Sequence, residues 1–242
     1  MKFSASLPRR MEAELLDDLA ASDPRAQRSR GDLRRLHRAM GTLSITTRAL
    51  DGATMNAPPR NILELGAGDG SMMMRLAQRR AANWPGLKVT LLDRLDLVDT
   101  RTLRGLKEVG WTVDVVSMDV FEWLARPGIG RWDIIFANLF MHHFSPDALD
   151  RLLLMIAARS RIFFCCEPRR SALPLAASHL VGLLGAGPVT RTDAVLSVHA
   201  GFAGQELSAR WPDRQAWRLR EYRAGLFSHG FLAVRERERE RT

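Results

Sequence analysis

The sequence predicts a doubly wound α/β protein: a mostly parallel seven-stranded sheet ending in an antiparallel hairpin and preceded by a helical N-terminal cap. Three observations carry this. From residue 61 onward short apolar runs alternate with helical segments, which makes parallel β-α-β units with right-handed crossovers. Several runs are apolar throughout, as strands covered on both faces are. The first run ends in a glycine-rich turn that leads straight into a helix, Leu65-Gly66-Ala67-Gly68-Asp69-Gly70-Ser71.

Taken in order, residues 1–60 read as helical. Met11, Leu15 and Leu19 recur at helical spacing, as do Leu33, Leu36 and Met40. Asp23-Pro24 supplies a cap and a first-turn proline, Gly41 ends that helix, and Pro58-Pro59 breaks the pattern. Strand one is Ile62 to Leu65, followed by a helix from Ser71 to Arg80. Strand two is Lys88 to Leu92, with a helix from Asp99 to Val109. Strands three and four are Thr112 to Ser117 and Trp132 to Ala137. Ser145-Pro146 opens a helix with Leu149, Leu152, Leu153 and Ile156 on one face, and Arg161 to Cys166 is strand five. Ala172 to Leu184 and Asp193 to Arg210 read as helices, and Trp217 to Arg223 with Phe227 to Arg235 as the final hairpin.

Composition bounds the function. The 242 residues are 46% hydrophobic and 26% charged, which suits one globular domain with an appendage and excludes wholesale disorder. No run approaches the roughly 18 apolar residues of a membrane span, and the opening MKFSASLPRR has no apolar stretch after its charges, so no secretory signal is expected. The two cysteines, Cys165 and Cys166, are adjacent and would point to opposite faces of a strand. Neither a disulfide between them nor a metal site is expected, and a reduced, cytoplasmic setting follows. The net charge of +9 raises nucleic acid as a partner. The arginines are dispersed, however, and the dense run Arg235 to Arg241 alternates with glutamates, a pattern of solvated tails rather than phosphate grooves.

The glycine turn discriminates between ligands. Glycines there let a ligand approach the backbone in the crevice at the carboxyl ends of the strands. The dinucleotide fingerprint is G-x-G-x-x-G, with pyrophosphate on the helix N-terminus. Here the spacing is G-x-G-x-G, and Glu64 and Asp69 add carboxylates that suit a cationic ligand. Glu64-Leu-Gly-Ala-Gly-Asp-Gly70 resembles motif I of the class I S-adenosylmethionine-dependent methyltransferases, whose sheet is Rossmann-like. The resemblance implies S-adenosylmethionine as cofactor, S-adenosylhomocysteine as product, and a loop of Gly66, Ala67, Gly68 and Gly70 beneath the methionine part.

Further residues extend the resemblance over about residues 60–168. Asp93, with Arg94 beside it, ends strand two where the family places an acid on the ribose hydroxyls; a carboxylate accepts both. Asp119 and Val120 follow strand three and match the adenine-facing pair, although Asp119 also reads as a helix cap. Asn138 and Leu139 end strand four beside the methyl-donor centre. His142 and His143 follow, similar to motif IV of members that act on small molecules, and either is a candidate base for a phenol or enol proton. Their alternative role is to bond backbone or shape the cofactor pocket.

The segment Asn138-Leu139-Phe140-Met141 lacks the proline pair of amino-methylating DNA enzymes. No Pro-Cys nucleophile of RNA cytosine enzymes occurs near it, nor the paired glutamates of protein-arginine enzymes. The resemblance therefore implies a small-molecule acceptor, aromatic or apolar given the apolar insert, methylated on oxygen without a metal. Carbon or nitrogen methylation, a nucleic-acid methyltransferase and an inactive cofactor-binding protein stay open. The expected organisation is a cap or lid over residues 1–60 and a cofactor-binding domain over 61–242, with a helical insert at about 171–210. Residues 24–41 and 193–235 also resemble bacterial small-molecule methyltransferases encoded near polyketide or quinone pathways.

Overall fold

The computed structural model describes residues 7–55 and 57–236. Met1–Ser6 of the opening segment and Arg237–Arg241 of the terminal charge run lie outside the described residues. Ten helices and seven strands follow among the described residues. The chain begins with α1 (Leu15–Asp18), α2 (Pro24–Met40) and α3 (Thr42–Thr54). The Asp23 carboxylate accepts the Arg25 N–H at 2.8 Å, and Gly41, at φ +68°, ends α2 and turns the chain into α3.

The helix expected from Met11 to Leu19 is confined to α1. Met11 and Leu15 are 37% and 45% exposed, so no apolar packing holds a longer helix there. The segment is held instead by polar contacts. Arg9 donates to the carbonyls of Ala200, His142 and Phe144, and the Leu15 and Leu16 N–H groups bond the Asp193 carboxylate at 2.8 and 3.0 Å.

The core alternates β1 (Asn61–Leu65), α4 (Ser71–Arg80), β2 (Lys88–Asp93), α5 (Thr100–Glu108), β3 (Thr112–Ser117), α6 (Val120–Leu124), β4 (Trp132–Asn138), α7 (Pro146–Arg159) and β5 (Ser160–Pro168). After β5 come α8 (Ala172–His179), α9 (Pro188–Ala200) and α10 (Glu206–Arg210), then β6 (Trp217–Ala224) and β7 (Ser228–Arg235). The sheet order is β3-β2-β1-β4-β5-β7-β6, parallel through β5 and antiparallel where β7 pairs β5 and β6. The predicted fold class is thus the one observed.

Alternation along the strands divides the core between the two faces. Leu63, Leu65, Ile135 and Phe163 pack against Leu149, Leu152, Leu153 and Ile156 of α7. Ile62, Ile134, Phe136 and Phe164 pack against Leu50 of α3, Met73 and Leu76 of α4, and Leu106 of α5. Cys165 and Cys166 are free and buried, one in each layer, as the strand period requires.

The helix expected over 193–210 is broken. A Cβ at Gly201 would collide with the Pro168 carbonyl, and the chain there runs extended so that Phe202 N–H bonds Pro168 O at 2.9 Å. Likewise Ala172–Leu184 divides into α8 and a single 3₁₀ turn, Val181–Leu184. Among the described residues no helix is long and apolar enough to cross a membrane.

Candidate functional site

Strand order reverses between β1 and β4, and the carboxyl ends of β1, β2 and β4 open a crevice at that switch point. The turn after β1 needs its glycines: Gly66, Gly68 and Gly70 sit at φ +67°, +55° and +71°. A side chain at Gly66 would also strike the Phe140 ring, 2.8 Å from Cγ. The end of β2 holds the turn in place. Ala67 N–H bonds Leu92 O at 3.1 Å, and Gly68 N–H bonds Asp93 Oδ2 at 2.8 Å.

Two adjoining cavities follow this crevice. One, of 250 Å³, is lined by Glu64, Gly66, Ala67, Gly68, Asn138 and Leu139, with His142 and His143 at one side. The other, of 300 Å³, is lined by Arg94, Asp119, Val120, Phe140 and Met118, and Asp93 borders both. Of the predicted site residues, Gly70 alone lines neither cavity. Its Cβ direction is filled by Thr102 and Leu91 at 3.0 and 3.1 Å, so its role is close helix–strand packing. Open depressions of 340 and 490 Å³ elsewhere, near Pro58, Asp133 and Trp84, contain none of these residues.

The electrostatics differ from the sequence expectation at one point. Asp69 is not free to meet a ligand cation: its Oδ2 pairs with Arg34 of α2 at 2.6 Å and its Oδ1 accepts the Ser71 N–H. The uncompensated acid is Glu64, held between Leu91 and Phe136 in the middle of the sheet. It is 2% exposed, and its Oε2 is buried with no partner. Burial, reinforced by Asp69 and Asp93, pushes its carboxyl well above the usual range. Asn138 Oδ1 in the same cavity is also buried and unpartnered.

Asp93 spends one bond per oxygen on the backbone, Oδ2 on Gly68 and Oδ1 on Leu95 at 3.0 Å. Each oxygen retains a second lone-pair site for a hydroxyl. Asp119 caps α6 through Oδ1, to Phe121 N–H at 2.8 Å and Glu122 N–H at 3.2 Å; Oδ2 takes no part in the cap.

The histidines sit on a 3₁₀ turn, Met141–His143, built on a buried carboxylate that the sequence did not single out. Glu167, fully buried at the end of β5, accepts the N–H groups of Phe140, Met141 and His142, and its Oε2 lies 2.7 Å from His142 Nδ1. The other ring nitrogen, His142 Nε2, is 3.4 Å from Glu14 Oε1 and makes no hydrogen bond. Burial would lower the imidazolium pKa, but Glu14 and Glu167 outweigh it and raise it to about 9. His143 is more open, with Nδ1 3.3 Å from Asp17 Oδ2. Glu14 and Asp17 come from the N-terminal segment, whose distance along the chain left no spacing signal.

An apolar cavity of 170 Å³ lies alongside, lined by Leu36, Met40, Pro174, Val181, Val198 and Phe227. Leu33, His37, Leu139 and Ser197 border both it and the Glu64 cavity. Leu139 has φ +54°, a conformation uncommon for a branched side chain, and its N–H bonds Cys166 O at 2.9 Å. His37 Nε2 is buried without a partner, and burial together with Arg75 lowers that imidazole to about 4. His229 instead bonds Glu221 at 2.7 Å beneath the hairpin.

No family model matches the sequence, and no curated protein matches it. Solved structures do match in fold. The plantazolicin methyltransferase BpumL in complex with SAH aligns with a TM-score of 0.66 at 13% identity, over 89% of this chain and 92% of that one. An O-methyltransferase family protein from Burkholderia thailandensis aligns at 0.61 and 13% identity, over 90% of this chain and 62% of that one. The magnesium protoporphyrin IX methyltransferase of Synechocystis PCC 6803 with bound SAM aligns at 0.53 and 15% identity, over 92% and 88%. With its strand order, its glycine turn at the switch point and these neighbours, the chain has the fold of the class I S-adenosylmethionine-dependent methyltransferases.

Proposed function

We propose that the chain is an S-adenosylmethionine-dependent methyltransferase of small molecules, transferring a methyl group to an oxygen of a phenolic, quinol or polyketide-type acceptor. One observation carries the reading. Glu64 Oε2 and Asn138 Oδ1, two buried acceptors without partners, line the cavity beside the glycine turn. A buried unpaired polar group costs about 1–3 kcal/mol. An ammonium group, three donors and no acceptor, satisfies both and restores charge to Glu64. A pyrophosphate, all acceptors, satisfies neither. The methyltransferase neighbours solved with SAH and SAM support the same ligand.

In this reading Gly66, Ala67 and Gly68 lie beneath the methionine part, Asp93 takes the ribose hydroxyls, and Arg94, Asp119 and Val120 border the adenine. The bound cofactor supplies an electrophilic methyl on a sulfonium. The acceptor hydroxyl loses its proton as its oxygen forms the new C–O bond, and the S–C electron pair remains on sulfur. Leu139 stands between the donor cavity and the apolar cavity, where the chain holds an aromatic or apolar acceptor in line for attack. His142, raised to about 9 between Glu14 and Glu167, carries its proton at neutral pH, so of the two candidate bases His143 is the one that takes the acceptor's proton. Residues 7–55 and α8–α9 act as its lid, tied to the glycine turn by Arg34–Asp69. Two free buried cysteines fit a cytoplasmic setting.

The test is methyl-labelled S-adenosylmethionine offered with quinols, phenolic polyketides and bulk RNA, products being read by fragmentation mass spectrometry. The reading expects label on an acceptor oxygen. Label on RNA alone, or on no acceptor with cofactor left unbound, rejects it.

A further inference from the structure

From the geometry around His142 we infer that Glu14, His142 and His143 form a binding site for one divalent transition ion of the zinc type, with an open coordination position toward the acceptor. This deepens the function proposed above and rests on it for the role of the ion, though not for its binding.

Four observations converge. Ligand atoms of the three residues all lie within 4.8 Å of one another. Two of them, His142 Nε2 and Glu14 Oε1, are 3.4 Å apart. Bonds of about 2.0–2.1 Å meeting at a tetrahedral angle separate two ligand atoms by about 3.4 Å, so that edge is already in place. Second, His142 Nε2 is buried and makes no hydrogen bond; it faces Glu14 Oε1 across a gap wide enough for an ion to bridge the two. Third, both rings turn Nδ1 toward a carboxylate: His142 to Glu167 at 2.7 Å, His143 to Asp17 at 3.3 Å. A carboxylate on one ring nitrogen is the support a metal-bound imidazole needs, since it fixes the tautomer and leaves the other nitrogen to the ion. The rings lie 4.2 Å apart between centroids, tilted by 34°, and a ligand atom of each is within reach of one centre. Fourth, the support is built and rigid. Glu167 is held by three backbone N–H groups, and the Glu14 carboxylate accepts the Ser197 hydroxyl.

Two imidazoles and one carboxylate select zinc or another first-row transition ion over magnesium, which prefers oxygen ligands and keeps its waters. Three protein ligands leave a fourth position, and the cluster borders the cavity that holds Leu139 and Asn138. An acceptor hydroxyl bound there would ionise more readily, its proton leaving to water at the mouth of the cavity. The histidine pair would then activate the acceptor through the ion rather than as free bases.

The experiment is a calorimetric titration of the chelator-treated full chain with zinc chloride, without methyl donor. Cobalt(II) serves as a spectroscopic probe and magnesium chloride as a control. The expected result is one zinc per chain, a cobalt absorption band, and no magnesium heat. His143→Ala, at a half-exposed position that leaves the Glu167 network intact, and Glu14→Gln each weaken zinc by at least about tenfold. No saturable zinc binding, or binding unchanged in both variants, overturns the proposal. A separate titration with S-adenosylhomocysteine distinguishes the two readings. Homocysteine-form binding without zinc binding removes only the ion; zinc binding without it removes only the donor.

Discussion

Replacing Gly68 by alanine separates what the turn does for stability from what it does for the ligand. Gly68 sits at φ +55° and a Cβ there meets nothing within 4 Å. The cost to the empty protein is therefore backbone strain alone, about 1–2 kcal/mol. For a chain of this size that lowers Tm by roughly 2–8 °C. Gly66 has nearly the same backbone, φ +67°, but its Cβ would overlap the Phe140 ring. Overpacking adds about 1–3 kcal/mol, for roughly 2–5 kcal/mol in all. The space beside Gly68 is where the cofactor must approach, so Gly68→Ala should remain folded and lose at least about tenfold in affinity, or ~1.4 kcal/mol. Thermal denaturation by circular dichroism reads the first effect and titration with S-adenosylhomocysteine the second. Wild-type affinity in Gly68→Ala, or equal stability of the two variants, refutes the reasoning.

Other outcomes follow from the same site. Glu64→Gln should stabilise the empty protein at pH 7.5. The Glu64 carboxyl is raised in the folded state, so its contribution is full at low pH and is lost as pH rises toward the folded value. The same variant should bind S-adenosylmethionine roughly 10- to 150-fold more weakly, the equivalent of one charged hydrogen bond at about 1.5–3 kcal/mol. His37 is lowered to about 4 from 6.5, so the unfolded chain binds its proton first and stability falls as pH drops through that window. Between pH 7.5 and 5 the loss from His37 is about 2 kcal/mol, and urea denaturation of His37→Leu should lack that increment. His143→Ala should cut turnover by more than it weakens S-adenosylhomocysteine; the residue lines both cofactor cavities and not the apolar one, so the two losses are measured together. A parallel fall in both would assign it to cofactor binding instead.

The parts of the fold legible in the sequence are those set by local chemistry. β1, β3 and α4 stand where apolar runs, turns and caps put them, and Asp23, Gly41 and Ser145 cap or end helices as expected. The N-terminal helix was overextended because Met11 and Leu15 keep helical spacing while facing solvent; Arg9 and Asp193 decide that segment through distant partners. The helix over 193–210 failed for a similar reason, since the contact of Gly201 with Pro168 is tertiary. In the site, the glycine turn, Asp93, Asp119 and Asn138 were legible because strand ends must converge at a switch point. Glu14, Asp17 and Glu167 were not. Each meets the histidines only after the chain has folded, and no spacing relates them.

The central claim is that a cationic methyl donor, and not a dinucleotide, occupies the crevice after β1. A crystal structure of the chain grown with S-adenosylhomocysteine and NAD together tests it most directly. The account predicts the homocysteine amino group against Glu64 and Asn138 and the ribose on Asp93. A pyrophosphate lying on the N-terminus of α4, with Glu64 still unpartnered, contradicts it.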